Sequence, residues 1–406
     1  MNSLARQTSR PLLATRLQGF GTTIFTEMTE QAVAHDAVNL GQGFPDEDPH
    51  PAVVAAAHEA LDAGHHQYAP GPGVPSLREA IAAHQQRRYG MTFDPSTEIT
   101  VTFGATEAIA ATVLALCEEG DEVLVLEPTY DCYSAVISMA GAKEVRVPLE
   151  VPALSSDGGA ETGFTLDVNR LISAVTPRTR ALLLNSPHNP TGLVLDTATL
   201  DAIASCCVEN DLIAITDEVY EHLVYEGEHV PLATLPGMRD RTVTISSAGK
   251  TFSCTGWKIG WACASPELTG AVRAAKQFLS FAGGTPLQHA IARALSLPDD
   301  TISEVTATHR RRRDKLVEGL RRLGVPALRP AGTYFVTADL APLGHSNAME
   351  FCRWAPSGIG VAAVPFGAFV LDPEPVRSLV RFAICKSEHV LAEGLRRLES
   401  LARDPG

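Results

Sequence analysis

The feature that most constrains the fold is an alternation of strand-like and helix-like segments between residues 76 and 264. The strands are continuous apolar runs, as at 180–185 and 212–216. Such runs between helices are typical of a parallel sheet that is covered on both faces. The predicted order is helix 76–89, strand 98–103, helix 105–117, strand 122–126, helix 130–140, strand 143–148, helix 167–175, strand 180–185, helix 197–209 and strands 211–216, 241–246 and 259–264.

The segments that follow differ from this alternation. Residues 153–163 are rich in Ser, Gly and Asp and predict an exposed loop. The stretch from about 265 to 324 is mostly helical, with a candidate long helix at 265–282. Residues 325–406 predict a smaller α+β domain. Its predicted elements are strands 333–338 and 378–384 and helices 346–356 and 387–402.

Charge and hydropathy exclude several classes of protein. The net charge of −14 disfavours a general role on nucleic acid or on an anionic membrane. The one basic run, 310–313, lies in a helix-like stretch and is typical of a solvated helix face. The longest apolar run, 108–116, is too short to cross a bilayer.

The cysteines and the N-terminal segment bear on the cellular compartment of the protein. Eight cysteines are spread along the chain without a CxxC motif or a Cys/His cluster at metal-ligand spacing, so we expect no metal and a reducing cytoplasm. The first 26 residues contain Arg6, Arg10 and Arg16 and no acid, which faintly resembles a transit peptide. No secretory apolar region follows, so an N-terminal arm is the favoured interpretation.

Polar residues follow several predicted strands, at the sheet edge where α/β proteins bind ligands. Residues 104–106 (Gly-Ala-Thr) open a helix, a place for a phosphate, although a glycine turn is also common there. Residues 185–192 (Asn-Ser-Pro-His-Asn-Pro-Thr-Gly) fit a ligand loop or a plain Pro/Gly turn. Asp217, in the segment 217–220 (Asp-Glu-Val-Tyr), could equally cap the next helix.

The segment 246–251 (Ser-Ser-Ala-Gly-Lys-Thr) ends in part of a nucleotide phosphate loop. That loop requires a glycine five residues before Gly249, and Thr244 stands there, so a nucleotide hydrolase is disfavoured. No strand-linked GxGxxG motif is present either, which argues against a dinucleotide oxidoreductase.

These pieces together fit one cofactor. The chain has only six lysines, at 143, 250, 258, 276, 315 and 386, and a lysine near a sheet edge can react with an aldehyde. A carboxylate can hold a pyridinium N–H, and Asn and Tyr can bond a phenolic oxygen. A helix N-terminus, a Ser and a second Lys can bind phosphate. The combination predicts pyridoxal phosphate.

Six ordered segments carry a family resemblance: 39–46, 185–192, 216–220, 246–250, 255–260 and 380–382. In them the sequence resembles the class I, fold-type-I aminotransferases along almost its full length. Within that class it is similar to the kynurenine/glutamine aminotransferase group, and most of all to the actinobacterial N-succinyldiaminopimelate branch. The resemblance implies an α/β fold with a large domain, a mainly parallel mixed sheet sandwiched by helices, and a smaller α+β domain. We expect an arm at 1–22, a small domain at 23–50 with 292–406, and a cofactor-binding large domain at 51–291.

The resemblance also implies a role for individual residues. Lys250, Asp217 and Tyr220 would be catalytic, with Lys250 bound to the cofactor aldehyde and then moving the proton, and Asp217 paired with the pyridine nitrogen. The cofactor would further contact Gly104, Ala105, Thr106, Tyr130, Asn189, Ser247, Lys258 and, from the neighbouring subunit, Tyr68. The substrate would contact Arg381, through its α-carboxylate, and Gly43, Asn185 and Phe25.

The substrate is the least constrained part of the prediction. Where kynurenine enzymes carry bulky aromatic and imidazole side chains, this chain has Gly283 and Gly284, which predicts an open pocket for a long polar side chain, although the pair could merely bend a loop. The favoured reaction is ping-pong exchange between N-succinyl-LL-2,6-diaminopimelate and 2-oxoglutarate by a cytoplasmic homodimer with shared active sites. Alternatives are a kynurenine-, glutamine- or methionine-type enzyme with β-lyase activity on cysteine S-conjugates and, remotely, a non-catalytic or regulatory relative.

Overall fold

The computed structural model describes residues 12–154 and 163–403, so the predicted loop at 153–163 lies mostly outside the described residues. The strands are β1 (Val38–Asn39), β2 (Ile99–Phe103), β3 (Glu122–Glu127), β4 (Lys143–Pro148), β5 (Thr179–Asn185), β6 (Ile213–Asp217), β7 (Thr242–Ser247), β8 (Ile259–Cys263), β9 (Phe335–Asp339), β10 (Val361–Ala362), β11 (Val364–Pro365) and β12 (Leu379–Ala383). The helices are α1 (Ile24–Ala34), α2 (Pro51–Asp62), α3 (Pro75–Tyr89), α4 (Gly104–Leu116), α5 (Asp131–Ala140), α6 (Val168–Ser173), α7 (Thr197–Glu209), α8 (Ala248–Thr251), α9 (Pro266–Leu279), α10 (Thr285–Leu295), α11 (Asp299–Arg322), α12 (Ala348–Gly358) and α13 (Glu388–Arg403).

Seven strands form the main sheet in the order β2-β8-β7-β6-β5-β3-β4. The pairs among β3 to β7 are parallel, and β8 runs antiparallel to both of its neighbours. Alternate residues of β3 enter two different cores: Val123 packs on the side of α4 and α5, and Leu124 packs on the side of α7. The sheet is therefore mixed, mainly parallel and covered on both faces, which confirms the predicted fold class.

The smaller domain contains the antiparallel sheet β11-β12-β9 and the parallel pair β1-β10. Its core joins residues that are far apart in sequence, since Met28 and Leu40 pack in one cluster with Leu316, Phe351 and Leu398. Segments from both ends of the described chain thus share one apolar core.

The predicted division of the large and small domains between residues 291 and 292 falls inside α10. Ile291 and Leu295 on either side of it both pack in one core with Val53 and Leu77. Because a continuous helix crosses this position, the exact domain boundaries stay a prediction.

Left-handed backbone conformations shorten two of the predicted elements. The helix predicted at 265–282 ends at Leu279, and the backbone then turns through Phe281, whose φ is 60°. The strand predicted at 333–338 begins at Phe335, because Thr333 has a φ of 64° that an extended strand cannot accommodate. In the described part of the chain, no helix is both long and apolar enough to span a membrane.

Candidate active site

A cavity of about 490 Å³ opens where β5, β6 and β7 end and α4 begins. Strands β5 to β7 are parallel neighbours, so their carboxyl ends bring polar residues from separate segments to one edge. All of the predicted site residues except Tyr68 line this cavity. Those that line it are Phe25, Gly43, Gly104, Ala105, Thr106, Tyr130, Asn185, Asn189, Asp217, Tyr220, Ser247, Lys250, Lys258 and Arg381.

Lys250 lies in α8, the single helical turn that follows β7. Its ammonium donates to the Gly43 carbonyl at 3.4 Å and faces the rings of Tyr220 and Tyr334, with centroids 5.8 Å and 5.5 Å away. Burial lowers the pKa of Lys250 from 10.5 to about 8, because the charged form loses solvation. Much of the amine is therefore neutral, and able to act as a nucleophile, a little above neutral pH.

Asp217 ends β6 and is buried at 5% exposure. Its Oδ2 accepts a hydrogen bond of 2.6 Å from the Tyr133 hydroxyl, and its Oδ1 accepts one of 3.3 Å from the Val219 amide. Burial raises the pKa of Asp217, and these two hydrogen bonds, with the charge of Lys250, oppose that rise. The site thus holds a carboxylate whose Oδ1 has spare capacity to accept a hydrogen bond.

Asn185 fixes its neighbours in the cavity. Its side chain donates to the Asp217 carbonyl at 2.8 Å and accepts from the Asn189 amide at 2.7 Å. The Asn189 side-chain oxygen accepts in turn from Arg381 Nη1 at 3.1 Å. The amide of Asn185 is therefore committed to the backbone of two other predicted site residues.

The start of α4 forms an open cradle. Gly104 has a φ of 66°, and no side chain caps the helix, which leaves amide donors of its first turn facing the cavity. A Cβ on Gly260 of the adjoining β8 would lie 2.4 Å from the Gly104 carbonyl carbon, so only glycine permits this close approach. Lys258 and Ser247 border the same space, and Lys258 makes no salt bridge with the described residues. A helix N-terminus beside an unpaired cation suits a phosphate.

Arg381 is 1% exposed, and its hydrogen-bond partners are neutral. It donates to Asn189 and, at 2.9 Å, to the Gly41 carbonyl, while its Nε has no partner in the described structure. Three rings surround the guanidinium, with centroids 3.9 Å away for Phe335 and 5.1 Å away for Phe25 and Phe369. Burial lowers the pKa of Arg381 to about 10, so it stays charged at neutral pH. A buried cation without an acidic partner suits a carboxylate ligand.

Two aromatic residues complete the predicted set inside the cavity. The Tyr220 ring meets that of Tyr334 edge-on at 5.2 Å, and the Tyr130 ring lies 6.4 Å from that of Phe25. Burial raises the pKa of both tyrosines above its usual value, so their hydroxyls stay protonated and can donate.

Tyr68 is the predicted residue that does not reach this cavity. It is 82% exposed, and its ring packs edge-on against Phe281 at 5.6 Å. Within one chain Tyr68 is therefore a surface residue, and its expected contact with the cofactor of a neighbouring subunit stays a prediction.

The expected role of Gly283 and Gly284 in opening the pocket is not seen within the chain, because neither lines the cavity. A Cβ on Gly283 would lie 1.7 Å from the Phe103 ring, and Gly284 has a φ of 61° at the start of α10. Packing and backbone conformation thus account for both glycines, as the loop-bending alternative supposed.

Several residues of the cavity were not predicted, namely Tyr133, Asp131, Gln42 and Phe335. Tyr133 had a usable signal, since it follows Tyr130 by three residues at the start of a predicted helix and so projects from the same face. Phe335 had none, because it reaches the cavity from a strand of the smaller domain.

A second polar cluster lies outside the cavity. His84, Glu221 and His222 place ligand-type atoms within 4.8 Å of one another. The two imidazoles bond each other at 2.9 Å, and Glu221 accepts from Tyr89 at 2.6 Å and from Ser246 at 2.5 Å. The Nε2 atoms of both imidazoles and the Glu221 carboxylate are already hydrogen-bonded, and of the buried atoms only His84 Nδ1 has no partner in the described structure, so we assign no metal to the cluster.

The cavity as a whole fits pyridoxal phosphate and an amino acid. Lys250 offers an amine, Asp217 an acceptor for a ring nitrogen, and Asn189 and Tyr220 partners for a phenolic oxygen. The α4 cradle with Ser247 and Lys258 suits the phosphate, which leaves Arg381 for a substrate carboxylate. The donor and acceptor types therefore match both molecules.

Comparison with known proteins agrees with this chemistry. The family described as "Aminotransferase class I and II" matches residues 35–398. A Mycobacterium tuberculosis H37Rv protein described as "Probable N-succinyldiaminopimelate aminotransferase DapC" is 52% identical, over 97% of this chain and all of its own length. The Escherichia coli K12 "Methionine aminotransferase" is 37% identical, with 97% of this chain and all of its own length covered.

The fold is similar to a solved structure of the same kind. The structure of N-succinyldiaminopimelate aminotransferase from M. tuberculosis has a TM-score of 0.92 at 51% identity, covering 96% of this chain and all of that one. The predicted family, fold and cofactor are thereby confirmed. The chain belongs to the class I and II aminotransferases and is an enzyme that uses pyridoxal phosphate.

Proposed function

We propose that the enzyme transfers the amino group between N-succinyl-LL-2,6-diaminopimelate and 2-oxoglutarate, which would place it in lysine biosynthesis. The observation that carries this substrate is the 52% identity to the M. tuberculosis relative along the whole of that protein. Arg381 supports the general substrate class, since a buried cation without an acidic partner suits the α-carboxylate of an amino acid or 2-oxo acid.

The residues that line the cavity have distinct tasks in this proposal. The bound cofactor supplies an electron sink for the substrate α-carbon. Lys250 holds the cofactor and moves a proton at that carbon, for which a pKa of about 8 is well placed. Asp217 keeps the ring nitrogen protonated, while Asn189 and Tyr220 orient the ring through its phenolic oxygen. Arg381 binds the α-carboxylate and so orients the substrate in the cavity that Lys250 also lines.

The proposal includes a homodimer whose sites are completed by Tyr68 of the neighbouring subunit. Exposed apolar side chains support it: Tyr68 is 82% exposed, Phe278 is 85% exposed and Phe281 is 48% exposed. Tyr68 and Phe281 contact each other, so they form one patch, and such patches commonly mark interfaces.

The test of shared sites mixes two inactive variants. Lys250→Ala subunits and Tyr68→Phe subunits are expected to regain part of the activity, since a hybrid dimer would contain one intact site. An absence of recovery, when subunit exchange is shown by differently tagged chains, would contradict shared sites.

We also propose a cytoplasmic location, which is supported by eight cysteines that are unpaired, as is typical of a reducing compartment.

A second candidate is a methionine- or kynurenine-type aminotransferase with β-lyase activity on cysteine S-conjugates. Two observations favour it: the E. coli methionine enzyme is 37% identical, and the cavity contains the rings of Phe25, Tyr130 and Phe335, which suit an apolar side chain. The cofactor contacts would be the same for both candidates, so they differ in the substrate and, for the β-lyase activity, in the carbon–sulfur bond that is broken.

A substrate panel distinguishes the two candidates. We expect kcat/KM for N-succinyl-LL-2,6-diaminopimelate to exceed that for kynurenine, glutamine, methionine and phenylalanine by tenfold or more, each with matched 2-oxo acids. A tenfold lead of methionine or kynurenine would instead support the second candidate. Pyruvate release from a cysteine S-conjugate measures the β-lyase reaction, with Lys250→Ala as the inactive control.

A further inference from the structure

The hydroxyl of Tyr133 is the shortest-range partner of the Asp217 carboxylate. Tyr133 lies in the first turn of α5, is 3% exposed, and donates to Asp217 Oδ2 at 2.6 Å. Burial and the neighbouring Asp217 hold the pKa of Tyr133 well above its usual value, so the phenol keeps its proton. The direction of the hydrogen bond is therefore from Tyr133 to Asp217.

Few groups besides Tyr133 favour the ionised form of Asp217. It makes no salt bridge with the described residues, and Lys250 acts on it only at longer range. Glu218, the adjacent acid, opposes ionisation of Asp217 and is itself bonded to Thr216 and His229. Cys132 and the phenols of Tyr130 and Tyr220 also face Asp217, and each keeps its proton because burial raises its pKa. Among the groups around Asp217, Tyr133 is thus the principal side chain that stabilises the anion.

A phenol differs from a cationic partner in one respect that matters here. A lysine or arginine at this position would cancel the negative charge of Asp217, whereas a neutral donor stabilises the charge and leaves it in place. The two carboxylate oxygens also have different partners: Oδ2 accepts the short hydrogen bond from Tyr133, and Oδ1 accepts only the long one from the Val219 amide. The anion thereby keeps both its charge and a fixed orientation.

We propose that Tyr133 is a positioning residue that keeps Asp217 ionised and orients its Oδ1 toward the pyridine nitrogen of the cofactor. This inference rests on the role that the proposed function gives to Asp217. Tyr133 acts through Asp217 and needs no contact of its own with the substrate.

The test is Tyr133→Phe, which removes one oxygen and keeps the ring that packs edge-on against Tyr130 at 5.6 Å. Without the phenol, Asp217 should stabilise the protonated ring nitrogen of the cofactor less. The cofactor ring should then withdraw less electron density. When the holoenzyme is titrated with pH, the absorption of the bound cofactor changes, and we expect the midpoint of that change to rise by about 0.5 pH unit or more. We also expect the dissociation constant of the cofactor to rise several-fold. The KM for L-glutamate should change less than threefold, because Arg381 is intact.

The matched control is Tyr89→Phe, since Tyr89 donates to the buried carboxylate Glu221 at the same 2.6 Å but does not line the cavity. Its absorption midpoint should stay within 0.2 unit of the parent. If Tyr133→Phe likewise leaves the midpoint and the cofactor affinity unmoved and only lowers Tm, the phenol is merely structural and the inference is wrong.

A double-mutant cycle with Asp217→Asn separates the inference from the assignment on which it rests. If Tyr133 acts through Asp217, adding Tyr133→Phe to Asp217→Asn should move the midpoint no further. A midpoint moved by Asp217→Asn but not by Tyr133→Phe overturns only the role of Tyr133. A midpoint unmoved by Asp217→Asn overturns the role of Asp217 and this inference together, while the substrate panel still tests the reaction.

Discussion

The cavity has two walls that are built in different ways. The cofactor wall lies at the ends of strands of one sheet and is made of Gly104, Asp217, Ser247, Lys250 and Lys258. Lys258 directly precedes β8, which starts at this edge because it runs antiparallel to its neighbours. The substrate wall is made of Phe25, Gly43, Phe335 and Arg381, which come from α1, the loop after β1 and two strands of the smaller domain.

The difference between the walls separates chemistry from selectivity. The backbone of each residue of the cofactor wall is held at the end of a strand of the main sheet, and in the described structure only the Lys250 ammonium forms a hydrogen bond with the other wall, at the Gly43 carbonyl. The substrate wall is an assembly of distant segments around one buried guanidinium. Changes in the first wall should therefore affect every substrate alike, and changes in the second should affect substrates differently.

The largest effect is expected in the cofactor wall. Lys250→Ala removes the amine that holds the cofactor and moves the proton, and kcat should fall on the order of 10³- to 10⁴-fold with every amino acid tested. Borohydride reduction of the parent enzyme, followed by peptide mapping, should find the cofactor on Lys250. Finding it on Lys258 would reverse the assignment of the two lysines.

The second largest effect is expected from a change in the substrate wall alone. Arg381→Lys loses the planar fork that can bind a carboxylate through two hydrogen bonds, a loss of about 2–3 kcal/mol, or about 30- to 150-fold in kcat/KM. The cofactor absorption and affinity should change much less than kcat/KM, because no residue of the cofactor wall is altered and Asn189 loses only the hydrogen bond from Arg381. Arg353→Lys, in an exposed pair with Glu27 at 2.7 Å, is the control and should change kcat/KM less than twofold. Equal losses in cofactor binding and kcat/KM would show that the two walls are not separable.

A smaller effect concerns the pH at which Lys250 reacts. Burial lowers its pKa to about 8, so the neutral fraction, and the rate at which cofactor-free enzyme takes up pyridoxal phosphate, should rise about tenfold between pH 7 and pH 9 and then level off. Nα-acetyllysine, whose free ε-amine has an ordinary pKa of about 10.4, is the reference and should still gain rate above pH 9. A rate for the enzyme that keeps climbing through pH 10 would contradict a depressed pKa.

The smallest effect on activity is expected outside both walls. Gly283→Ala would press a methyl group onto the Phe103 ring, which should cost about 1–3 kcal/mol of unfolding free energy and lower Tm. The ranking of amino acid substrates should not change, because Gly283 does not line the cavity of its own chain. Gly270→Ala in α9, where a Cβ meets nothing within 4 Å, is the matched control and should not destabilise. A changed ranking in Gly283→Ala at unaltered Tm would restore the open-pocket explanation.

The sequence by itself determined the cofactor wall. Continuous apolar strands predict a parallel sheet, and the carboxyl ends of such strands meet at one edge, so Asp217, Ser247 and Lys250 had to lie close together once their strands were recognised. The family resemblance then assigned their chemistry. Local pattern was sufficient here because each residue lies at a strand end or within three positions of one.

Only the tertiary structure decided the surroundings of Arg381, the bond from Tyr133 to Asp217 and the packing of Gly283 against Phe103. Each of these contacts joins residues that are tens to hundreds of positions apart, and no local periodicity encodes which side chain fills a given space. Arg381 was predicted from its motif, but its three rings and its neutral partners come from α1, β9 and the turns near Gly41 and Phe369. Short segments thus specify which reactive groups are present, whereas long-range packing specifies how solvated, how charged and how tightly held each of them is.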